Sequence, residues 1–125
     1  MTTFHQQVAA DLANVAELRK RLERWAGSHD IPGTRADDVL IAAQEAMTNA
    51  AQHAHPDGEP GTIAVTAEVD GQALTLTIAD DGRWRHRPAR LGGGVGLALI
   101  RATADATIVD SGPRGTTIQL RWDWS

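Results

Sequence analysis

Apolar residues recur at three- and four-residue steps in the first part of the chain, as they do in amphipathic helices. These steps predict a first helix over Asp11–Ala26 and a second from Thr34, its expected N-cap, to about His53. The short run Thr3–Val8 fits an edge strand. The chain is therefore expected to begin with one strand and two helices.

The hydrophobic period changes to two beyond residue 60, which indicates half-buried strands. Asp70-Gly71 is a hairpin turn signal within this region. The predicted elements are strands around Ile63–Val69 and Leu74–Ile78, a Gly- and Arg-rich loop over residues 82–94, a helix over Val95–Thr103, and closing strands over Ala106–Asp110 and Thr116–Trp124. This order predicts an α+β fold, a two-layer α/β sandwich with helices on one face of a mixed, mostly antiparallel sheet.

The composition narrows the function classes. A length of 125 residues predicts a single domain, and the 42% hydrophobic and 4% aromatic content predicts a largely aliphatic core. The net charge of −4 gives no general attraction to nucleic acid or anionic lipid. The absence of cysteine excludes disulfides, thiolate zinc sites and cysteine nucleophiles. Lys20, the single lysine, is followed by Arg21, so no Walker A loop is present.

The location of the protein is predicted from what its sequence lacks. No apolar run approaches the roughly 20 residues that a membrane span requires. The amino-terminal residues show no charged-then-apolar signal pattern. We therefore expect a cytoplasmic protein that contacts neither membrane nor nucleic acid directly.

The second helix carries a polar stripe with two candidate functional groups. At 100° per residue, Glu45 and Asn49 lie about 40° apart and one turn removed. The carboxylate could orient or deprotonate a nucleophile, and the amide oxygen is a hard ligand suited to Mg²⁺. A solvated polar stripe explains the same spacing, so the helix alone leaves both interpretations open.

Two polar residues are predicted to enter the core from the ends of strands. Asp80 shares a strand face with Leu76 and Ile78, so it should point into the core, where a carboxylate needs a partner such as the amino group of a nucleobase. An aspartate that caps the turn before Gly82 is the alternative. The same alternation places Thr116 on the inner face beside Asp80, unless its hydroxyl serves only its own backbone.

The loop over residues 82–94 ends in a glycine run that opens a helix. Glycines let backbone N–H groups approach a ligand, and helix N-termini attract phosphate. Four arginines precede the run, at positions 83, 85, 87 and 90, and their guanidinium groups suit phosphate oxygens. A flexible surface loop is the competing interpretation.

Taken in order, these pieces form a recognisable set of motifs. They are Glu45-Ala46-Met47-Thr48-Asn49-Ala50-Ala51-Gln52-His53, Asp80-Asp81-Gly82, Gly94-Val95-Gly96-Leu97-Ala98-Leu99-Ile100 and Gly115-Thr116-Thr117. The set resembles the GHKL ATPase superfamily, which has the Bergerat ATP-binding fold. The whole chain is most similar to the bacterial anti-sigma factor serine kinases, whose first strand and arginine-bearing helix resemble residues 3–26. The resemblance divides the single domain 1–125 into an N-terminal strand and helix (1–33) and a nucleotide-binding core (34–125).

The resemblance also implies roles for individual residues. Glu45 would be the general base, Asn49 the Mg²⁺ ligand, and Asp80 the acceptor for the adenine amino group. Thr116 would support the adenine through a water. The other residues implied in nucleotide binding lie within the same motifs and are His53, Gly82, Gly94, Val95, Gly96 and Leu97. Val95 stands where many of these kinases carry arginine, and the loop arginines are a hypothetical replacement for that charge.

The function implied is that of an ATP-binding anti-sigma factor with Mg²⁺-dependent serine/threonine protein kinase activity. Its expected partners are a sigma factor and an anti-anti-sigma protein of STAS type, and a homodimer is expected by resemblance. The catalytic domain of a sensor histidine kinase is the alternative. The predicted first helix contains no histidine that could accept phosphate, which ranks this alternative second. A nucleotide-dependent binding module without catalysis is a third interpretation.

Overall fold

The computed structural model describes residues 2–53, 61–81, 95–112 and 115–124. Its elements are β1 (Thr2–Ala9), α1 (Leu12–Gly27), α2 (Gly33–His53), β2 (Thr62–Asp70), β3 (Ala73–Asp80), α3 (Val95–Thr103), β4 (Ala106–Gly112) and β5 (Gly115–Asp123). The predicted α+β fold is confirmed. Every predicted helix and strand is present, with ends that differ by one or a few residues.

The five strands form one sheet in the order β1-β2-β3-β5-β4. All pairings between these described strands are antiparallel, so the sheet contains no parallel pair among them. The β2–β3 hairpin turns at Gly71, whose φ of 64° is the positive value that a two-residue turn needs. The last strand is inserted between β3 and β4, which makes β3 and β5 neighbours.

Helix α1 begins where an aspartate side chain replaces a missing backbone partner. Asp11 is the N-cap, and its carboxylate accepts a hydrogen bond from the N–H of Asn14 at 2.8 Å. The N-cap predicted for α2 was wrong: the helix begins one residue before Thr34 because the carbonyl of Pro32 accepts the bond from the N–H of Ala36 at 2.9 Å. The threonine therefore lies within the first turn.

The core lies between the inner face of the sheet and the three helices. Alternate residues of β2, β3 and β5 are buried, as are the small side chains of α2, which contacts both other helices and strands β2 and β3. The described core is mostly aliphatic, as predicted, and its buried aromatic residues are Phe4 and Trp122. Trp122 is fully buried, and its indole Nε1 donates a hydrogen bond to the carbonyl of Thr103 at 2.7 Å.

Candidate nucleotide-binding site

The ends of β3 and β5 bring Asp80 and Thr116 together. The register makes them direct cross-strand neighbours, on the same face as the buried Leu76 and Ile118. Thr116 is 2% exposed and is the polar residue among the described buried side chains, while Asp80 is half-buried at the strand end. Both side chains therefore occupy the inner face that the alternation predicts.

The two consecutive aspartates at the end of β3 have different surroundings. Asp81 is exposed and accepts two hydrogen bonds from Thr62, one from its N–H at 2.8 Å and one from its hydroxyl at 3.1 Å. Its carboxylate thereby fastens the end of β3 to the start of β2. Asp80 is the member of the pair that faces the core side.

A serine that sequence analysis did not single out completes this corner. Ser111 is the register partner of Thr116, and their hydroxyl oxygens are 3.1 Å apart. The predicted strand ended at Asp110, because the following Ser-Gly-Pro sequence reads as a turn. Extending the alternation from Val109 by two residues would have placed Ser111 on the inner face.

Gly115 allows β5 to begin close against β3. Its φ is 139°, a backbone conformation that L side chains rarely adopt. A Cβ placed there would overlap the carbonyl oxygen of Asp80 and lie 3.0 Å from the Cα of Asp81. Glycine before Thr116 is thus a requirement of the backbone that brings the two strand ends together.

Helix α2 presents the other two candidate groups at the margin of its buried stripe. Glu45 and Asn49 are half-buried and one turn apart, and they flank the buried Ala46. This placement differs from a fully solvated stripe, because each side chain is partly covered while it still reaches solvent. The carboxylate and the carboxamide are therefore accessible to a ligand on one side of the helix.

The remaining predicted residues lie at the edge of the described structure or beyond it. His53 is the last residue of α2, and Val95, Gly96 and Leu97 form the first turn of α3. Gly82 and Gly94 lie outside the described residues, as do the loop arginines at positions 83, 85, 87 and 90. The placement of α3 directly after the glycine run agrees with the helix that the sequence predicts.

The chemistry of the donor set fits an adenine nucleotide. A half-buried carboxylate next to a buried hydroxyl, at the end of an apolar face, suits a flat heterocycle with an exocyclic amine. In the described ranges no group of three or more His, Cys, Asp or Glu side chains could hold a metal ion.

The length and hydropathy of the helices determine whether any of them could span a membrane. Within the part of the chain that the structure describes, no helix combines the length and the apolar character needed to cross a membrane.

Comparison with known proteins relates the fold to characterised families. A solved structure containing the RsbU and RsbW domains of Rv1364c from Mycobacterium tuberculosis superposes with a TM-score of 0.80 at 23% identity, covering 98% of this chain and 32% of that one. This likeness shows the shared fold. It extends over nearly all of the elements described above.

Three curated relatives are similar to this chain in amino-acid sequence. The chain is 32% identical to the serine-protein kinase RsbW of Bacillus pumilus in an alignment of length 102 that covers 67% of this chain and 62% of the relative. It is 29% identical to the anti-sigma F factor of Clostridium beijerinckii in an alignment of length 87 that covers 60% of this chain and 61% of the relative. It is 28% identical to the blue-light-activated histidine kinase 2 of Erythrobacter litoralis in an alignment of length 99 that covers 73% of this chain and 28% of the relative.

The chain thus spans less than two thirds of the length of each of these relatives. A family description covers more of it: the model of the histidine kinase-like ATPase domain matches residues 8–122. The matched range contains α2, β3 and β5, the elements that carry Glu45, Asn49, Asp80 and Thr116. The chain therefore belongs to the histidine kinase-like ATPase domain family.

Proposed function

We propose that this protein is an ATP-binding anti-sigma factor that phosphorylates a serine or threonine of an anti-anti-sigma partner. The observation that carries the proposal is the pairing of Asp80 with Thr116 on the inner face of the sheet. Sequence similarity to a serine-protein kinase and to an anti-sigma factor supports the choice of reaction. In this proposal residues 1–125 act as one domain, with the nucleotide held by residues 34–125.

Nucleotide recognition is assigned to the β3–β5 corner. The Asp80 carboxylate accepts a hydrogen bond from the adenine amine, and the Thr116 hydroxyl supports the ring through a water. Guanine would present a carbonyl oxygen to the carboxylate, which leaves acceptors unpaired at a cost of about 1–3 kcal/mol each. Gly82 lets the base lie close to the backbone. The phosphates are assigned to the segment from Gly94 to Leu97 that opens α3, and His53 is assigned to nucleotide binding from the end of α2.

Phosphoryl transfer is assigned to the polar margin of α2. The Glu45 carboxylate takes the proton of the partner's hydroxyl as that oxygen attacks the γ-phosphorus, and ADP leaves. Asn49 offers its amide oxygen to Mg²⁺, which when bound neutralises phosphate charge. Most of the rate acceleration in such reactions comes from positioning and charge stabilisation, so Glu45 and Asn49 act together with the groups that hold the phosphates.

The regulatory role follows from the proposed partners. A sigma factor held by this protein is unavailable to RNA polymerase, and phosphorylation keeps the STAS-type antagonist from releasing it. We place this cycle in the cytoplasm, with the protein acting as a homodimer. It regulates transcription without touching DNA, in agreement with the acidic net charge of −4.

Nucleotide binding is tested by thermal stabilisation with ATP–Mg²⁺ and GTP–Mg²⁺. At one hundred times the dissociation constant, a ligand adds about 2.7 kcal/mol to the stability of the folded state. The wild type is expected to be stabilised by ATP far more than by GTP, and Asp80→Asn to lose most of this shift. Asp110→Asn, which alters an exposed carboxylate on the neighbouring edge strand, is the matched control and should respond like wild type. Equal stabilisation of wild type and Asp80→Asn would refute the assignment.

Catalysis is tested by transfer of radiolabel from γ-labelled ATP to a cognate STAS-type protein. Glu45→Gln is expected to bind ATP like wild type and to transfer phosphate about 10²–10⁴ times more slowly. Asp37→Asn, at an exposed position of the same helix, is the control and should transfer normally. No transfer by wild type to any cognate partner would leave a nucleotide-dependent binding module, the third interpretation of the sequence.

The acid stability of the phosphorylated product distinguishes a serine kinase from a histidine kinase. The similarity to a histidine kinase favours a second candidate function, the ATP-binding domain of a sensor kinase. Phosphoserine survives acid, whereas phosphohistidine is lost in acid and survives alkali. Acid-stable label on the partner is expected, and acid-labile label would establish the second candidate instead.

A further inference from the structure

Ser111 contacts the buried hydroxyl of the proposed adenine site from the neighbouring edge strand. Its side chain lies on the inner face of β4, opposite Thr116, and the two oxygens are 3.1 Å apart. The residue is exposed, so its own hydroxyl can also bond to solvent. Thr116, in contrast, is 2% exposed, and its hydroxyl has little access to alternative partners.

Each hydroxyl has one proton to donate, and the geometry allows either residue to be the donor in this pair. If Thr116 donates to Ser111, the threonine oxygen can only accept hydrogen bonds from a ligand. If Ser111 donates to Thr116, the threonine proton is free to point towards the ligand. The direction of this single hydrogen bond therefore sets what the buried hydroxyl can recognise.

Recognition of adenine requires one of these two directions of the Ser111–Thr116 hydrogen bond. If its amine donates to Asp80, the two ring nitrogens that flank the amine, N1 and N7, carry no hydrogen and can only accept. A hydroxyl in direct contact with either nitrogen serves it only as a donor. The same holds through a water that gives one proton to the nitrogen and the other to the Asp80 carboxylate, because that water can then only accept from the hydroxyl. Ser111 must then be the donor in its pair with Thr116.

We propose that Ser111 is a positioning residue that orients the Thr116 hydroxyl as a hydrogen-bond donor towards the adenine ring. This inference rests on the proposed function, because it assumes that adenine occupies the β3–β5 corner. It adds a specificity role for a residue of β4. Guanine carries a hydrogen on N1, so a hydroxyl fixed as a donor disfavours guanine at that edge. A hydroxyl that is free to turn does not.

The test is calorimetric titration with ATP, GTP, 1-deaza-ATP and 7-deaza-ATP. Ser111→Ala is expected to weaken ATP binding about three- to tenfold, the range for one lost hydrogen bond. Where the nitrogen served is N1, the variant should also narrow the ratio of ATP affinity to GTP affinity, because N7 is an acceptor in both bases. Of the two deaza analogues, the one that lacks the nitrogen served by Thr116 should bind wild type and Ser111→Ala equally. Ser111→Thr, which keeps the hydroxyl on a strand-favouring residue, should restore ATP binding.

A double-mutant cycle separates positioning from a general structural effect. In a Thr116→Val background, which removes the hydroxyl that Ser111 orients, Ser111→Ala should have no further effect on ATP affinity. Unchanged ATP affinity in Ser111→Ala would overturn the inference, as would an equal loss with ATP and both deaza analogues. If wild type itself fails to bind ATP, the proposed function fails. If wild type binds ATP and Ser111→Ala does so equally well, only the role of Ser111 fails.

Discussion

Replacing Gly115 by alanine is expected to destabilise the fold more than any other single-methyl addition among the described glycines. Its φ of 139° lies in a region that side chains rarely adopt, and the added Cβ would overlap the carbonyl oxygen of Asp80. Neither problem can be relieved by turning a flexible side chain, because both involve backbone atoms. The start of β5 must therefore move away from the end of β3.

The size of the effect follows from these two contributions. A backbone held in a sparsely populated region costs about 1–3 kcal/mol. Forcing an extra methyl group into an occupied space costs about 1–3 kcal/mol more. The sum, about 2–6 kcal/mol, is a large share of the 5–15 kcal/mol that is typical of a whole domain. For a chain of this length the loss corresponds to a fall in Tm of at least about 6–10 °C.

The measurement is thermal unfolding followed by circular dichroism, with Gly112→Ala as the matched control. Gly112 is the register partner of Gly115, yet a Cβ there meets nothing within 4 Å. The control should unfold within about 2 °C of wild type, since it adds a methyl group in open space. If the two variants have the same Tm, the close approach of the two strand ends is not the reason for glycine at position 115.

Three further substitutions test the packing described above. Trp122→Phe removes the hydrogen-bond donor to the carbonyl of Thr103 and leaves a cavity. Urea denaturation should therefore show a free energy of unfolding about 2–4 kcal/mol lower than in wild type, with an unchanged m-value. A decrease below about 1 kcal/mol would contradict the buried hydrogen bond. Asp11→Ala removes the N-cap carboxylate that accepts a hydrogen bond from Asn14, and it should lower the free energy of unfolding by about 0.5–2 kcal/mol. Asp11→Ser should restore most of this loss. Equal stability of Asp11→Ala and Asp11→Ser would argue against capping. Ile108→Thr replaces an apolar side chain that is 62% exposed on an edge strand. The substitution should leave Tm nearly unchanged and should raise the concentration at which the protein aggregates, measured by light scattering.

Local patterns were sufficient to predict the elements and the side of the sheet on which Asp80 and Thr116 lie. A period of two allows only two faces, and the apolar residues on one of them identify it as the inner face. Each helix and strand was likewise predictable, because each period is kept consistently over a long stretch of residues. The specific roles of Glu45, Asn49, Asp80 and Thr116 came from family resemblance, and they remain predictions for the assays above.

Non-local features were beyond the reach of the sequence patterns. The turn signals indicate the β2–β3 and β4–β5 hairpins, but nothing local specifies that β5 lies beside β3. The strand order therefore had to come from the structure, and the contact between Ser111 and Thr116 came with it. Composition was also an incomplete guide to the core, because a scarce aromatic residue at an inner position, Trp122, is buried as fully as any aliphatic one.

The pairing of β3 with β5 has a consequence for how the protein is made. The two residues assigned to the base lie far apart along the chain and become neighbours only when the final strand has docked. On the proposed assignment, a nascent polypeptide would thus lack affinity for ATP until β5 had emerged from the ribosome and inserted between β3 and β4. ATP would then stabilise the docked sheet and slow degradation by proteases that attack partly opened chains.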